Sequence, residues 1–152
     1  MKLFGMPAAP LVLTVAGMLP FAAGAGVMLA AADQPILKAQ AGLVLLVYGA
    51  VILSFLGGLR WGAEITAQDE TPRAGVLALS VVGSLAGWGI VLWAFFGGAG
   101  WPVFAAGAGL HLLHGLWDAG AGGLPGWMRR VRVIGAACAV AALGAGAAAY
   151  FV

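Results

Sequence analysis

Long apolar runs alternate with short polar or glycine-rich breaks along this chain, and the runs recur five times. They cover about residues 8–31, 40–64, 74–96, 101–117 and 131–152. The breaks carry loop signals: DQP at 33–35, TAQDETPR at 66–73, GGAG at 97–100 and DAGAGGLPG at 118–126. Apolar and polar residues do not alternate within the runs, which excludes a membrane β-barrel. Hydrocarbon offers no partner to an exposed backbone, so runs of this kind must be helical. A span needs roughly 20 apolar residues, which each run approaches or exceeds. The expected fold is all-α: one domain over 1–152, a polytopic integral membrane bundle of five transmembrane helices.

Composition supports lipid as the solvent. The chain of 152 residues is 63% hydrophobic and 8% charged, against about 25% charged in a soluble domain. A net charge of +2 gives no footing for nucleic acid. The single cysteine, Cys138, excludes an internal disulfide and reads as a packed core residue. Lys2 and the small residues AAAD at 30–33 resemble a signal peptide. The first run is too long for an h-region and Pro20 interrupts it, so it is expected to be retained.

Lys and Arg set the orientation. With five spans, Lys2, Arg60, Arg73, Arg129, Arg130 and Arg132 fall on one side and Lys38 alone on the other. This predicts a cytoplasmic N-terminus and an outside C-terminus, in a bacterial cytoplasmic (inner) membrane. Trp101, Trp117 and Trp127 fit as interface anchors. GWMRRVR at 126–132 is expected to lie at the inner headgroup layer, ahead of the fifth span. There Trp127, Arg129, Arg130 and Arg132 would meet anionic lipid, at about 1 kcal/mol per basic residue.

Small residues must bring the helices together, because lipid supplies no hydrophobic drive between them. Gly58 with Gly62, and Gly83 with Gly87, form GxxxG pairs, and residues 134–149 are nearly all small. These are expected to serve helix packing, with a spare small-residue face suited to another membrane protein.

The stretch SFLGGLRWGAEI at 54–65 places charge in an apolar helix. On a helical wheel Arg60, Glu64, Gly57, Trp61 and Ser54 share about one third of the circumference. In the fourth run His111, His114 and Asp118 fall within about 60° of one another. Both stripes should face the bundle interior, since lipid exposure of ionisable groups costs several kcal/mol. The expectation is a polar cluster of Arg60, Glu64, His114 and Asp118 near the inner interface, with Trp61 and Trp117 around it. Such a cluster suits an interhelical ion pair. It also leaves room for a proton or ion path, and Gly107 one turn before His111 leaves room for a flat tetrapyrrole. CxxC and HExxH patterns are absent, so no metal and no cofactor are assigned. No nucleophile–base set or phosphate loop is visible, so no enzymatic activity is expected.

GMLPF at 17–21, YGAVILSFLGGLRWG at 48–62, SLAGW at 84–88 and WDAGAGGLPGWMRRVR at 117–132 occur in one order over most of the chain. Together they resemble a domain-of-unknown-function family of small membrane proteins that includes mitochondrial transmembrane protein 69. The resemblance implies the fold, the topology and the motif positions, and no reaction. Members typically carry histidine where Arg60 stands, so the resemblance carries over a cationic or hydrogen-bonding role there and not a titrating one. The family's association with bioenergetic membranes implies a place near respiratory or photosynthetic machinery. The expected function is an accessory, assembly or stabilising subunit of a larger membrane complex, with the bilayer and other membrane proteins as partners. The alternative is a binder or carrier of a small hydrophobic ligand, tetrapyrrole or ion between helices 2 and 4.

Overall fold

The computed structural model describes residues 2–67 and 71–152. Residues 68–70 of the most polar break lie outside it. Five helices follow one another: α1 (Ala8–Ala30), α2 (Pro35–Thr66), α3 (Ala74–Gly97), α4 (Trp101–Gly120) and α5 (Gly126–Ala148). A two-residue hairpin, β1 (Lys2–Leu3) against β2 (Met6–Pro7), precedes them. Phe4 and Gly5 turn it with positive φ, as a tight hairpin of this hand requires.

Among the described residues, α1, α2, α3 and α5 are long and apolar enough to cross a membrane. The 20 residues of α4 suffice in length, but two histidines and an aspartate lower its apolarity. The 32 residues of α2 extend about 48 Å at 1.5 Å per residue, well past a hydrocarbon core of about 30 Å. Helix α2 starts five residues ahead of the apolar pattern because Pro35, which lacks an N–H, fits a first turn that has none to pair. Helix α5 likewise starts early, where Arg129 donates its N–H to the carbonyl of Pro125. GWMRRVR is therefore not a separate interfacial segment but the opening turns of α5.

Each helix packs on the next, and α5 returns against α1, so the five form a ring in chain order. Helix α2 also reaches across to α4 and α5. The two halves of the ring differ. Around the α1–α2 and α3–α4 connections lies the apolar core, with Met28, Leu45, Leu46, Phe104 and Leu143 almost wholly buried. That end is fastened by Lys38, whose Nζ donates to the Ala149 carbonyl at 2.8 Å, and by Tyr150, whose hydroxyl donates to the Ala99 carbonyl at 2.6 Å. Tyr150→Phe deletes the second bond and should lower unfolding stability by about 1 kcal/mol, read as an earlier melt in nanodiscs. The opposite half contains the charges.

Pro20 withdraws one N–H from the α1 ladder. Close by, Tyr48 on α2 donates its hydroxyl to the Gly17 carbonyl at 2.7 Å, tying the two helices at that weak point.

The buried positions of α2 run Gly42, Leu45, Leu46, Gly49, Leu53, Gly57, Arg60 and Glu64, one stripe at three- and four-residue spacing. Gly57 is in that stripe, and a Cβ there would overlap the backbone carbonyl of Ser80 on α3. The glycines expected to pack, Gly58 and Gly62, are displaced by one position, and a Cβ at either meets nothing within 4 Å. The α2–α3 contact thus runs through Gly57 instead. Gly87 does sit at a contact: its Cβ position is 3.1 Å from Ala50 Cα. Gly83 makes room for His114, with 3.4 Å from its Cβ position to Nδ1. On the far side of the ring, a Cβ at Gly115 would lie 2.6 Å from Ala136 Cβ, so α4 and α5 also approach closely.

Candidate functional site

Asp118 is the centre of the polar half. It lies near the end of α4, is 1% exposed, and takes a guanidinium on each oxygen. Arg60 of α2 donates Nε to Oδ1 at 2.7 Å. Arg132 of α5 donates Nε and Nη2 to Oδ2. Three helices therefore converge on one carboxylate. Both arginines are almost fully buried, at 3% and 7% exposure.

Arg60 is fully engaged. Nη1 donates to the Gly122 carbonyl at 2.9 Å and Nη2 to the Trp117 carbonyl at 3.3 Å. Its guanidinium lies 4.8 Å from the centre of the Trp117 ring, within cation–π range. A cation at the last carbonyls of α4 also complements the negative end of the helix dipole. The bond to Gly122 depends on the loop after α4, where Gly123 takes a φ of +87° that other residues rarely adopt.

Arg132 is only partly engaged. Nη2 approaches His114 Nε2 at 3.1 Å and the Leu56 carbonyl at 3.4 Å. Arginine can only donate, so His114 Nε2 must accept, and the neutral ring carries its proton on Nδ1. Nη1 is buried and has no hydrogen-bond partner among the described residues. Trp117 closes over His114 edge-on, at 5.2 Å between ring centres.

Of the four residues expected to cluster, Arg60, His114 and Asp118 are together and Glu64 is not. Glu64 is taken by Arg73. Its Oε1 accepts the Arg73 backbone N–H at 2.7 Å and Nε at 2.9 Å, and its Oε2 accepts Nη2 at 2.7 Å. Arg73 is the N-cap residue of α3, so this carboxylate fastens the end of α2 to the start of α3. Trp61, expected beside the cluster, faces outward at 41% exposure.

His111 stands apart on the same helix. It is 1% exposed, with Phe21 edge-on at 5.6 Å. Its Nε2 is set against the Gly49 backbone of α2, 3.4 Å from the Gly49 Cβ position, short of full hydrogen-bond geometry. The room expected over Gly107 for a flat macrocycle is taken by Leu143 and Leu46, at 3.6 and 3.8 Å from the Gly107 Cβ position. Among the described residues no three of His, Cys, Asp and Glu converge as metal ligands do.

Arg132 departs from the sequence expectation, which groups it with Arg129 and Arg130 at the headgroup layer. Those two are exposed in the first turn of α5, and Trp127 is half-buried beside them, but Arg132 turns inward. Its signal was present. Arg132, Ala136, Ala139, Leu143 and Gly146 form one buried stripe at three- and four-residue spacing.

Two cavities flank this network. One, of about 530 Å³, opens beside Arg60, Glu64, Arg73 and Trp117. The other, of about 400 Å³, lies between α1, α2 and α5 and is lined almost wholly by apolar side chains, with Arg132 and His111 as its strongly polar members.

A family model described as "Protein of unknown function (DUF3429)" matches residues 6–148, nearly the whole chain. No curated protein and no solved structure matches it.

Proposed function

The chain belongs to the DUF3429 family, and on that footing we propose a small, non-catalytic multi-pass membrane protein, an accessory, assembly or stabilising subunit of a larger membrane complex. In this reading all five helices span a bacterial inner membrane, with the N-terminus cytoplasmic and the C-terminus outside. Helix α4 crosses despite its composition because His111, His114 and Asp118 are turned inward. Arg129 and Arg130 meet anionic headgroups at the inner face. A resemblance to a family that includes mitochondrial transmembrane protein 69 is what suggests a respiratory or photosynthetic complex.

The observation that carries the proposal is the use made of the buried charge. Arg60, Asp118, Glu64 and most of Arg132 are spent on one another and on loop carbonyls, which ties four helices and two connections together. That is how a scaffold uses charge. A small ligand, tetrapyrrole or ion held by Arg60, Glu64, His114 and Asp118 finds fewer free groups there.

Partner contact must fall on helix flanks, because the connections between helices are short. Helix α3 offers one. It packs on α2 and α4 and turns Leu85, Trp88, Phe95 and Phe96 outward. Gly89 lies among these residues, with nothing within 4 Å of its Cβ position. Solubilised from native membranes in mild detergent, the protein should run within an assembly much larger than itself. Gly89→Trp should leave its melting point unchanged and strip most of the protein from that assembly. An unsubstituted protein that runs alone would refute the proposal.

A further inference from the structure

The N-terminal hairpin carries an aromatic residue where its turn disfavours one. Phe4 and Gly5 both take positive φ, at 52° and 73°. Glycine, asparagine and aspartate suit the first of these positions, and a bulky side chain is strained there. Phe4 gains no packing inside the protein in return, since it is 87% exposed. The rest of the hairpin is held in place: Met6 is 6% exposed, and β2 packs on α1 and α5. A strained, uncovered aromatic on a fixed turn points to a contact outside the chain.

The level of the hairpin identifies what it meets. Helix α1, at 23 residues, is about 35 Å long, slightly more than a hydrocarbon core of about 30 Å. What precedes it therefore falls in the headgroup layer. The start of α5 falls there too. Pro10 and Thr14 of α1 and Trp127 and Val131 of α5 line one cavity, so both helices start at the same end. The Gly135 Cβ position is 3.6 Å from Thr14. About two turns earlier on each chain, Met6 and Pro7 stand level with Trp127 and Met128. Lys2 pairs with Pro7 across the hairpin, which brings it to the same level.

The exposed charges at this level have one sign. Lys2, Arg129 and Arg130 are exposed, and none takes part in an ion pair among the described residues. The described carboxylates of this half, Glu64 and Asp118, are buried and already bonded to Arg73, Arg60 and Arg132. Exposed cations beside aromatic side chains complement an anionic lipid surface, where phosphates take the charge and the rings settle among the headgroups.

We propose that the N-terminal hairpin and the first turn of α5 form one site for anionic phospholipid, with Lys2, Arg129 and Arg130 on lipid phosphate and Phe4 set into the headgroup layer. The proposal rests on the reading above that Arg129 and Arg130 meet headgroups, and it adds the hairpin as the second wall of the site. Phe4 is then the residue that holds the hairpin to the membrane, which accounts for an aromatic at a position the turn disfavours.

The full-length protein is placed in nanodiscs of phosphatidylcholine alone and of phosphatidylcholine with phosphatidylglycerol. Hydrogen exchange reads segments 2–8 and 126–131, and native mass spectrometry counts the lipids retained. Phosphatidylglycerol should slow exchange in both segments together. It should be retained at least about tenfold over phosphatidylcholine, since each cation near the surface contributes roughly fivefold. Arg129→Gln with Arg130→Gln should remove most of that preference. Phe4→Asn suits the turn, so the hairpin should persist with no loss of melting point in phosphatidylcholine, while retention of phosphatidylglycerol falls at least about threefold. Nanodiscs expose both faces, so these outcomes hold whichever side the N-terminus takes. Slowed exchange in 126–131 alone would keep Arg129 and Arg130 at the headgroups and overturn the hairpin's part. Equal exchange in the two lipids would overturn both. Phe4→Asn that retains phosphatidylglycerol as well as the unsubstituted protein would overturn the role of Phe4 and with it the proposal.

Discussion

Replacing Asp118 by asparagine is expected to lower the unfolding free energy by about 3–5 kcal/mol, the usual consequence of removing one partner from a buried ion pair. The reason is charge rather than shape. Asparagine is nearly isosteric with aspartate, but its amide presents two donors where one guanidinium needs an acceptor. Two buried arginines would then face each other with no negative charge between them. Their packing with Trp117 and His114 would remain. Arg132→Met in the same background removes one of the two stranded cations and should recover part of the loss. Arg132→Met alone leaves the neutral Arg60–Asp118 pair and should cost much less than Asp118→Asn. Thermal unfolding of the four proteins in nanodiscs measures all of these. Equal losses for Asp118→Asn with and without Arg132→Met would show that hydrogen bonds, not charge, hold the network.

Gly57→Ala should be the second most damaging change, and Gly58→Ala beside it should do the opposite. Both are mid-helix glycines, where alanine is intrinsically favoured by about 1 kcal/mol. At Gly58 a methyl group meets nothing within 4 Å, so that gain should be realised. At Gly57 the methyl would occupy the space of the Ser80 carbonyl oxygen, a backbone atom that cannot rotate away. Helices α2 and α3 would have to separate, and overpacking of this kind typically costs about 1–3 kcal/mol, occasionally more. Sterics therefore outweigh propensity at one glycine and have no say at its neighbour. The measurement is the unfolding midpoint of each variant. Two variants that shift it in the same direction would show that the helices do not meet at Gly57.

These two sites also mark how far the sequence could be read. Five helices follow from five apolar runs and four polar breaks, since both signals are local. The inward turn of Arg60, His114 and Asp118 follows from spacing, because lipid exposure of such groups is prohibitive. Two things do not follow from spacing. Glu64 lies on the same stripe as Arg60, but Arg73, nine residues on, returns to claim it. A helical wheel ends where the helix ends and cannot register a loop that doubles back. Arg132 was misplaced for the converse reason. Reading three arginines within four positions as a single basic patch ignored that their side chains leave the helix in different directions. Likewise the GxxxG pattern at Gly58 and Gly62 was found by motif. The buried stripe through Gly49, Leu53, Gly57, Arg60 and Glu64 shows that the contact is one residue out of phase with it.

The short distance along the chain between Asp118 and Arg132 has a consequence for biogenesis. They are 14 residues apart, at the facing ends of one helical hairpin, whereas Arg60 lies 58 residues before Asp118. Helix α4 carries two histidines and an aspartate, and Arg132 burdens the start of α5. In the proposed five-span arrangement the two liabilities neutralise each other as soon as the hairpin forms at the translocon, before any other helix is met. In that arrangement the last two helices would enter the membrane as a unit, with Arg60 on α2 as the latch that receives them.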